Sequence, residues 1–355
     1  MSSIFWKKAN FNQTIMPLMV FSKLLGLCTF QFPAKEYKRS YFGLILFFII
    51  FSYDVYEVFI TLSNWDGSSE KLNSKIFLAV TFILTLSSNL ITVLVFIIGF
   101  CTRKSFFMLI TLINEFDEYL STITRINHSR QFVIIHFTTI IKAIYLFSNL
   151  LVSENILRDF VEYSSVMIVI ELFVMFSYIL LERIKIINDV LRLDFSNETD
   201  AIRKLEIIFQ CIEKVSVITQ QINKSLGIQM LFVIIAQFLI GVVCVFVCIY
   251  ALLGLNLSLI LVIKFIYYAI YVDFNILQIC LLGTYINNER IKVLKFLRKI
   301  ISRNIAYKNI LEVNLEIAEL GCGFFEFNMK LFHKIVATQA LYFVVMIQFQ
   351  KMLNP

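Results

Sequence analysis

Residues 226–254 read LGIQMLFVIIAQFLIGVVCVFVCIYALLG, an apolar run without a charged side chain. A helix that crosses a membrane needs about 20 such residues, because the hydrocarbon core is about 30 Å thick. Further apolar segments occur at 41–62, 76–100, 131–152, 161–181, 258–284 and 335–349. Continuous apolar runs are typical of helices, whereas a membrane β-barrel needs alternating apolar and polar residues. The sequence therefore predicts an all-α membrane protein with seven transmembrane helices.

The composition favours one membrane domain over several soluble ones. Of the 355 residues, 59% are hydrophobic and only 16% are charged, a balance that is typical of multispan membrane proteins. The formal net charge is +7. Because the basic residues flank the apolar segments, we interpret this charge as contact with anionic membrane lipid, and we predict no nucleic-acid partner.

Basic residues are distributed unevenly between alternating loops. Most of them lie in residues 1–40 and in the loops at 101–130, 182–225 and 285–334. The remaining loops and the C-terminal tail contain only Lys71, Lys75, Arg158 and Lys351. Loops rich in Lys and Arg stay in the cytoplasm during membrane insertion. The sequence therefore predicts a cytoplasmic N-terminus and an extracellular C-terminus, the reverse of a G-protein-coupled receptor.

The loops on the predicted cytoplasmic side keep an apolar pattern at helical spacing. In the loop at 101–130 the pattern consists of Phe106, Leu109, Ile110, Ile113, Phe116 and Leu120. The next two such loops contain Ile202, Leu205, Phe209, Ile212 and Val215, and then Val293, Leu294, Leu297, Ile300 and Ile301. This pattern predicts that transmembrane helices continue into the cytoplasm and pack as an anchor domain. Alternatively, these helices lie flat on the inner leaflet.

The sequence offers no arrangement typical of an enzyme. His128, His136 and His333 are scattered and have no cysteine or carboxylate at the spacing of metal ligands or a catalytic triad. The cysteines fall in helices or on the predicted cytoplasmic side, where disulfides are rare. We therefore predict a protein that is not an enzyme and holds no metal or cofactor.

Two predicted transmembrane helices carry polar stripes, which are costly in lipid and normally face a cavity or a partner. On segment 131–152 the stripe is Thr138, Lys142, Tyr145 and Asn149, and on segment 258–284 it is Lys264, Tyr268, Tyr271, Asn275 and Gln278. We predict an amphiphilic ligand pocket, open to the outside, bordered by Lys142, Tyr145, Asn149, Glu171, Lys264, Tyr268, Tyr271 and Asn275. The alternative is pairing between helices, such as Lys142 with Glu171 or with Asp54.

The last apolar segment, 335–349, is too short to cross a membrane in contact with lipid. One of its faces carries Thr338, Leu341, Val345 and Gln348. A short helix can line a water-filled pore, where apolar residues form a constriction and an amide ring offers oxygens to a cation. The alternative is an ordinary packing seam between helices.

The end of the chain resembles the hallmark of the insect gustatory receptors, which is Thr-Tyr, five apolar residues and then Gln-Phe. Here Tyr342 is followed by Phe343, Val344, Val345, Met346 and Ile347, and then by Gln348 and Phe349. Leu341 stands in place of the usual Thr. Sugar receptors in that family typically carry Glu after the motif Tyr, and Phe343 stands there instead.

The resemblance implies a tetrameric ligand-gated cation channel, related to the insect odorant receptors, in the plasma membrane of a chemosensory neuron. It implies a cytoplasmic helical region in residues 1–40, helices 1–6 with the ligand cavity in 41–284, anchor helices in 285–334 and a pore helix in 335–349. Val345 and Phe349 would form the gate, and Gln348 the constriction. The expected partners are a small tastant, more bitter-like than sugar-like, and copies of the same or a related receptor. A secondary transporter and a scaffold subunit that works only with partners remain as alternatives.

Overall fold

The computed structural model describes residues 11–34, 36–63, 75–121, 126, 128–150, 156–192, 198–252, 259–303, 320 and 326–353, and the described residues of every predicted apolar segment are helical. The helices are α1 Phe11–Leu24, α2 Tyr41–Ser63, α3 Lys75–Ser121, α4 His128–Leu150, α5 Ile156–Arg192, α6 Glu198–Ile222, α7 Ile228–Leu252, α8 Leu259–Arg303 and α9 Met329–Leu353. These residues form no β-strand; an isolated β-bridge joins Phe30 and Arg39. The prediction of an all-α protein is confirmed.

Four of the helices run far beyond the apolar segments, as their patterned loops predict. Helix α3 has 47 residues, α5 has 37 and α8 has 45. Helix α6 joins α7 through one turn of π-helix at Asn223–Gly227, so the two form one continuous rod. The predicted continuation of the transmembrane helices is therefore present in the structure.

Five helices in the described part of the chain are long and apolar enough to cross a membrane. These stretches are Tyr41–Ser63, Thr85–Ser121, Tyr163–Arg192, Glu206–Cys248 and Phe265–Lys299. A shorter apolar stretch, Val133–Ile144, lies in α4.

Helix α5 occupies the centre of the chain. In its most apolar window, 89% of the residues are buried by protein, whereas the corresponding share for α2 is 17%. The burial of α5 comes from contacts with α3, α4, α6, α7 and α8. An apolar helix that is covered by protein belongs to a core, and one that is left uncovered, such as α2, faces lipid.

The helical extensions pack against each other within one chain. Phe116, Ile212 and Leu297 lie on three different helices, and each is at most 2% exposed. Asn188 of α5 donates hydrogen bonds to the backbone oxygen and the carboxylate of Glu289 in α8, at 3.2 and 2.7 Å. The described residues at the centre of these apolar faces are thus covered by neighbouring helices of the same chain.

The segment after α1 returns tightly onto α2. Gly26 has a positive φ of 72°, a conformation that glycine adopts without steric cost. A Cβ at this position would lie 2.7 Å from the backbone of Phe47 in α2. Glycine therefore both ends α1 and permits the close approach of the following segment.

Candidate functional site

A cavity opens between α3, α5, α7 and α8, and we call it the tyrosine cavity. Its empty volume is about 520 Å³, including the part that is open to solvent. Its lining residues are Ser88, Ile91, Tyr163, Val166, Met167, Ala236, Gln237, Ile240, Tyr268 and Tyr271.

Three tyrosines form one wall of the tyrosine cavity. The rings of Tyr268 and Tyr271 are stacked, with centroids 6.4 Å apart, and Tyr163 meets Tyr268 edge to face at 5.4 Å. Aromatic walls of this kind bury apolar ligand surface and present polar hydroxyl groups at their edges. The remaining lining is mainly aliphatic.

Gln237 supplies the amide of the tyrosine cavity. Its side chain is only 3% exposed. Its side-chain oxygen is buried and has no hydrogen-bond partner in the described part of the chain. A buried polar atom without a partner is costly. This oxygen is therefore available to a hydrogen-bond donor that enters the cavity.

The tyrosine cavity lies toward the predicted outer ends of the helices. Tyr163 follows the start of α5 at Ile156 by seven residues, and Tyr268 follows the start of α8 at Leu259 by nine. At 1.5 Å per residue these tyrosines lie roughly 10–14 Å below the helix starts.

Only two of the residues predicted for the ligand pocket, Tyr268 and Tyr271, line the tyrosine cavity. Asn275 lies one turn further along α8 and is fully buried. Tyr145 and Asn149 belong to α4 and Lys264 belongs to α8, but their side chains lie outside the described part of the structure.

Lys142 and Glu171 form an ion pair between α4 and α5, the pairing that the sequence leaves open as an alternative. The Lys142 ammonium also donates a hydrogen bond to Gln278 of α8 at 2.8 Å, and Thr139 donates one to the Glu171 carboxylate at 3.0 Å. The two charged side chains are 3% and 1% exposed. This buried cluster ties α4, α5 and α8 together about one to two helical turns beyond the tyrosine cavity.

Helix α9 contains the last apolar segment and is longer than that segment, with 25 residues. The Asn328 side chain accepts a hydrogen bond from the backbone of Leu331 at 3.1 Å, which caps the start of the helix. The backbone of Met329 donates to the Thr284 hydroxyl of α8 at 3.0 Å. A Cβ on Gly283 would collide with the carbonyl oxygen of Phe327. The start of α9 is therefore fixed tightly on α8.

Further along, α9 also packs on α7. Gln339 is buried against Gly241, where an added Cβ would lie 2.5 Å from the Gln339 amide nitrogen. The rings of Tyr342 and Phe238 meet edge to face, with centroids 6.0 Å apart. Since Gln237 faces the tyrosine cavity, neighbouring residues of α7 contact the cavity and α9.

The predicted pore residues lie on the other side of α9, and we call this side the uncovered face. At 100° per residue, Leu341, Val345 and Gln348 fall within about 60° of one another, and Gln339 points the opposite way. Leu341 is 63% exposed and Val345 is 36% exposed. Gln348 is exposed and Thr338 is half-buried, while the Phe349 side chain lies outside the described part of the structure.

A model of the 7tm chemosensory receptor family matches residues 15–353 of this sequence. The chain belongs to the 7tm chemosensory receptor family. The receptor also has the fold of the insect olfactory receptor OR5 from Machilis hrabei, with a TM-score of 0.72, 13% sequence identity and coverage of 94% of this chain and 97% of that one. The structure of the same receptor in complex with eugenol gives a TM-score of 0.62 at 14% identity, with the same coverage. A comparison with curated proteins finds no match.

Sequence reasoning missed Gln237, Ser88 and Tyr163 in the lining of the tyrosine cavity. A single amide inside an apolar segment carries the same desolvation cost as a polar residue that belongs to a stripe. This cost could have identified Gln237 as a residue that faces a cavity or a partner. Tyr163 stands at the edge of its apolar segment and Ser88 among other small polar residues. Neither position has a pattern that separates it from its neighbours.

Proposed function

We propose that this receptor is a gustatory receptor that acts as a ligand-gated, non-selective cation channel. A small tastant would bind in the tyrosine cavity, and α9 would line the pore. The observation that carries the proposal is the geometry of α9, which contacts the helices around the cavity on one side and leaves an apolar face uncovered on the other. The resemblance of Tyr342, Gln348 and Phe349 to the gustatory motif supports the same assignment, and with it a place in the plasma membrane of a chemosensory neuron.

The lining of the tyrosine cavity favours a small, largely apolar ligand over a sugar. A sugar brings several hydroxyl groups, and each one buried without a partner costs about 1–3 kcal/mol. The lining offers the Gln237 amide, the Ser88 hydroxyl and three tyrosines among aliphatic residues. An aromatic or alicyclic molecule with one hydrogen-bond donor fits this lining better.

The buried pair of Lys142 and Glu171 would hold the base of the ligand pocket rather than touch the ligand. It fixes α4 to α5, and Gln278 extends the contact to α8. These contacts limit how far α8 can move away from α5 on the far side of the cavity. Ligand binding would then move the outer parts of these helices, while the contact between Lys142 and Glu171 stays in place.

The uncovered face of α9 supports assembly around a central pore, as a homotetramer or with related receptors. In the described part of the single chain, the apolar side chain of Leu341 is largely exposed and that of Val345 is about one-third exposed. An exposed apolar stripe of this kind marks an interaction surface. Four copies would bury it around one axis, with the Val345 and Phe349 positions forming the constriction and Gln348 forming a ring of amides.

Helix α7 gives a physical route from the ligand to the pore. A ligand that enters the tyrosine cavity would press Gln237 and Ile240 of α7 away from the tyrosines of α8. Because Phe238 and Gly241 hold Tyr342 and Gln339 of α9, a shift of α7 displaces α9. The ligand opens the channel to the extent that it binds the displaced arrangement more tightly.

Recording whole-cell currents from cells that express the receptor alone tests the proposal. A panel should contain alkaloids, phenols, terpenoid alcohols and sugars. The proposed function predicts inward cation current with single-channel openings for some small apolar compounds and none for sugars. Current only after co-expression of a second family member would favour the scaffold subunit. Substrate-coupled flux without channel openings would favour the transporter.

A further inference from the structure

A second cavity lies at the other end of the transmembrane helices, and we call it the arginine cavity. Its empty volume is about 380 Å³, including its mouth. It is enclosed by the end of α1 and the segment after it, by α3 and α5, and by the π-helical turn before α7. The cavity lining includes Ser22, Phe30, Gly99, Arg103, Ser225 and Gln229.

Arg103 brings an uncompensated positive charge to this cavity. Among the described residues it is the only charged one in the lining. Its guanidinium carbon lies 3.8 Å from the centre of the Phe100 ring, a cation–π contact that holds the group in place. One guanidinium nitrogen, Nη1, is buried and has no hydrogen-bond partner in the described structure. A buried charged donor without an acceptor is costly, so the cavity favours an anion.

A second nitrogen donor extends the same preference. The Gln229 amide lies directly over Gly99, where a Cβ would be 2.8 Å from the amide nitrogen. Glycine at this position therefore leaves room for this donor in the same lining as Arg103. The Ser225 hydroxyl donates its proton to the Gln221 carbonyl oxygen at 2.7 Å and so adds no further donor. No carboxylate in the described lining opposes an anion.

The position along the helices identifies the source of the anion. Arg103 follows the apolar segment 76–100 by three residues, and Ser225 precedes the segment 226–254 by one. Both ends lie at the predicted cytoplasmic surface of the membrane. Basic pockets between helices at this level meet the headgroups of anionic lipids. Lys104 and Lys224, both exposed, would raise the local concentration of such lipids.

We propose that the arginine cavity binds the phosphate of an anionic lipid headgroup. The acyl chains would remain outside, in the inner leaflet. This site is separate from the tyrosine cavity and does not depend on the proposed taste function.

The π-helical turn gives the bound headgroup a mechanical consequence. Ser225 and Leu226, which belong to this turn, line the cavity. Single π turns inside long helices often occur at functional sites. A headgroup held by Arg103 would fix the junction between α6 and α7, and α7 in turn contacts α9.

The test measures the thermal unfolding of the purified full-length receptor in a neutral detergent. Added lipid is phosphatidylcholine, phosphatidylserine or phosphatidylinositol 4,5-bisphosphate, and a separate arm contains inorganic phosphate alone. We expect saturable stabilisation by the anionic lipids only. Arg103→Gln should weaken the apparent affinity about tenfold or more, since it removes a charged hydrogen bond. Lys104→Gln removes the same charge one residue away and should change the apparent affinity less than about threefold.

Two conservative variants decide the matter if Arg103→Gln does not fold. Arg103→Lys keeps the charge but cannot present parallel N–H donors to phosphate, and it should weaken binding several-fold, whereas Lys104→Arg should not. Equal effects at the two positions would overturn the site and leave only general surface attraction. Equal protection by inorganic phosphate would overturn the assignment to a lipid, and no stabilisation by any anion would overturn both.

Discussion

The Arg183 guanidinium donates two hydrogen bonds of 2.7 Å to the two carboxylate oxygens of Asp117. Arg183 lies on α5 and Asp117 on α3, and their side chains are 1% and 8% exposed. Two parallel bonds of this kind fix both distance and orientation. The pair therefore locks the register of α3 and α5 in the region that the sequence assigns to the anchor domain.

The first prediction is that Arg183→Met will destabilise the receptor strongly. It removes two charge-assisted hydrogen bonds from the buried Asp117 carboxylate, and breaking comparable buried pairs costs about 3–5 kcal/mol. The control is Lys185→Met, which breaks an exposed pair with Glu182 and should cost about 0–1 kcal/mol. The midpoint of thermal unfolding in detergent measures both. Restoration of most of the loss by the double variant Asp117→Leu/Arg183→Met would assign the cost to the buried carboxylate that has lost its Arg183 bonds, and equal midpoints for the two single variants would refute the prediction.

The same pair shows that the apolar segments of α3 and α5 end at different levels along the bundle. Arg183 follows the segment 161–181 by two residues, whereas Asp117 lies seventeen residues past the segment 76–100. Since the two side chains lie at one level, the last turns of the α5 segment pack beside the extension of α3. Those turns are apolar because protein covers them, and hydropathy does not distinguish a protein core from lipid.

Other parts of the fold were predictable because one periodic pattern determined them. The spacing of Phe106, Ile113 and Phe116 predicts the extension of α3 without any tertiary information. The position of α9 on α8 was not predictable in this way. It depends on Gly283, Thr284 and Asn328, which meet only after residues distant in sequence have packed. Sequence reasoning named Tyr268 and Tyr271 of the cavity lining because they belong to a polar stripe. It did not name Gln237, which stands alone in its apolar segment.

The second prediction concerns the orientation of the chain in the membrane. The distribution of basic residues places the C-terminus outside. An epitope tag after Pro355 should bind antibody on intact cells, and a tag before Met1 should bind only after permeabilisation. The opposite pattern would reverse the topology and would place the tyrosine cavity toward the cytoplasm.

The third prediction is that Gln237→Leu and Tyr268→Ala will change ligand sensitivity more than maximal current. Each removes a group from the lining of the tyrosine cavity while leaving α9 unchanged. A loss of about 1.4 kcal/mol in binding raises the half-maximal ligand concentration about tenfold. The matched control is Tyr267→Ala, since Tyr267 is 45% exposed and lies outside the cavity lining. Equal shifts for Tyr267 and Tyr268 would move the ligand site elsewhere.

The fourth prediction concerns coupling between α7 and α9. Gly241→Ala would place a methyl group against the Gln339 amide, at a distance that real Cβ atoms rarely show. Either the buried Gln339 side chain must shift or α7 must move away from α9, and either change to this contact should alter the fraction of open channels without ligand. Single-channel recording measures that fraction directly. An unchanged open fraction, together with normal surface expression, would remove this contact from the gating route.

The last prediction is that the charge at position 348 sets permeation. Gln348 is exposed on the uncovered face of α9, so four subunits would place four neutral amides around one axis. Such a ring replaces part of a cation's hydration without selecting strongly between sodium and potassium. Gln348→Glu would add up to four negative charges, which should increase divalent permeation and block by calcium, whereas Gln348→Arg should repel cations and abolish current. The same two substitutions at Gln220, exposed on α6, serve as controls and should leave both properties unchanged. If reversal potentials and calcium block are unaltered by both charges at position 348 in receptors that reach the surface, then α9 does not line the conduction path, and its uncovered apolar face must instead be a contact with another helix.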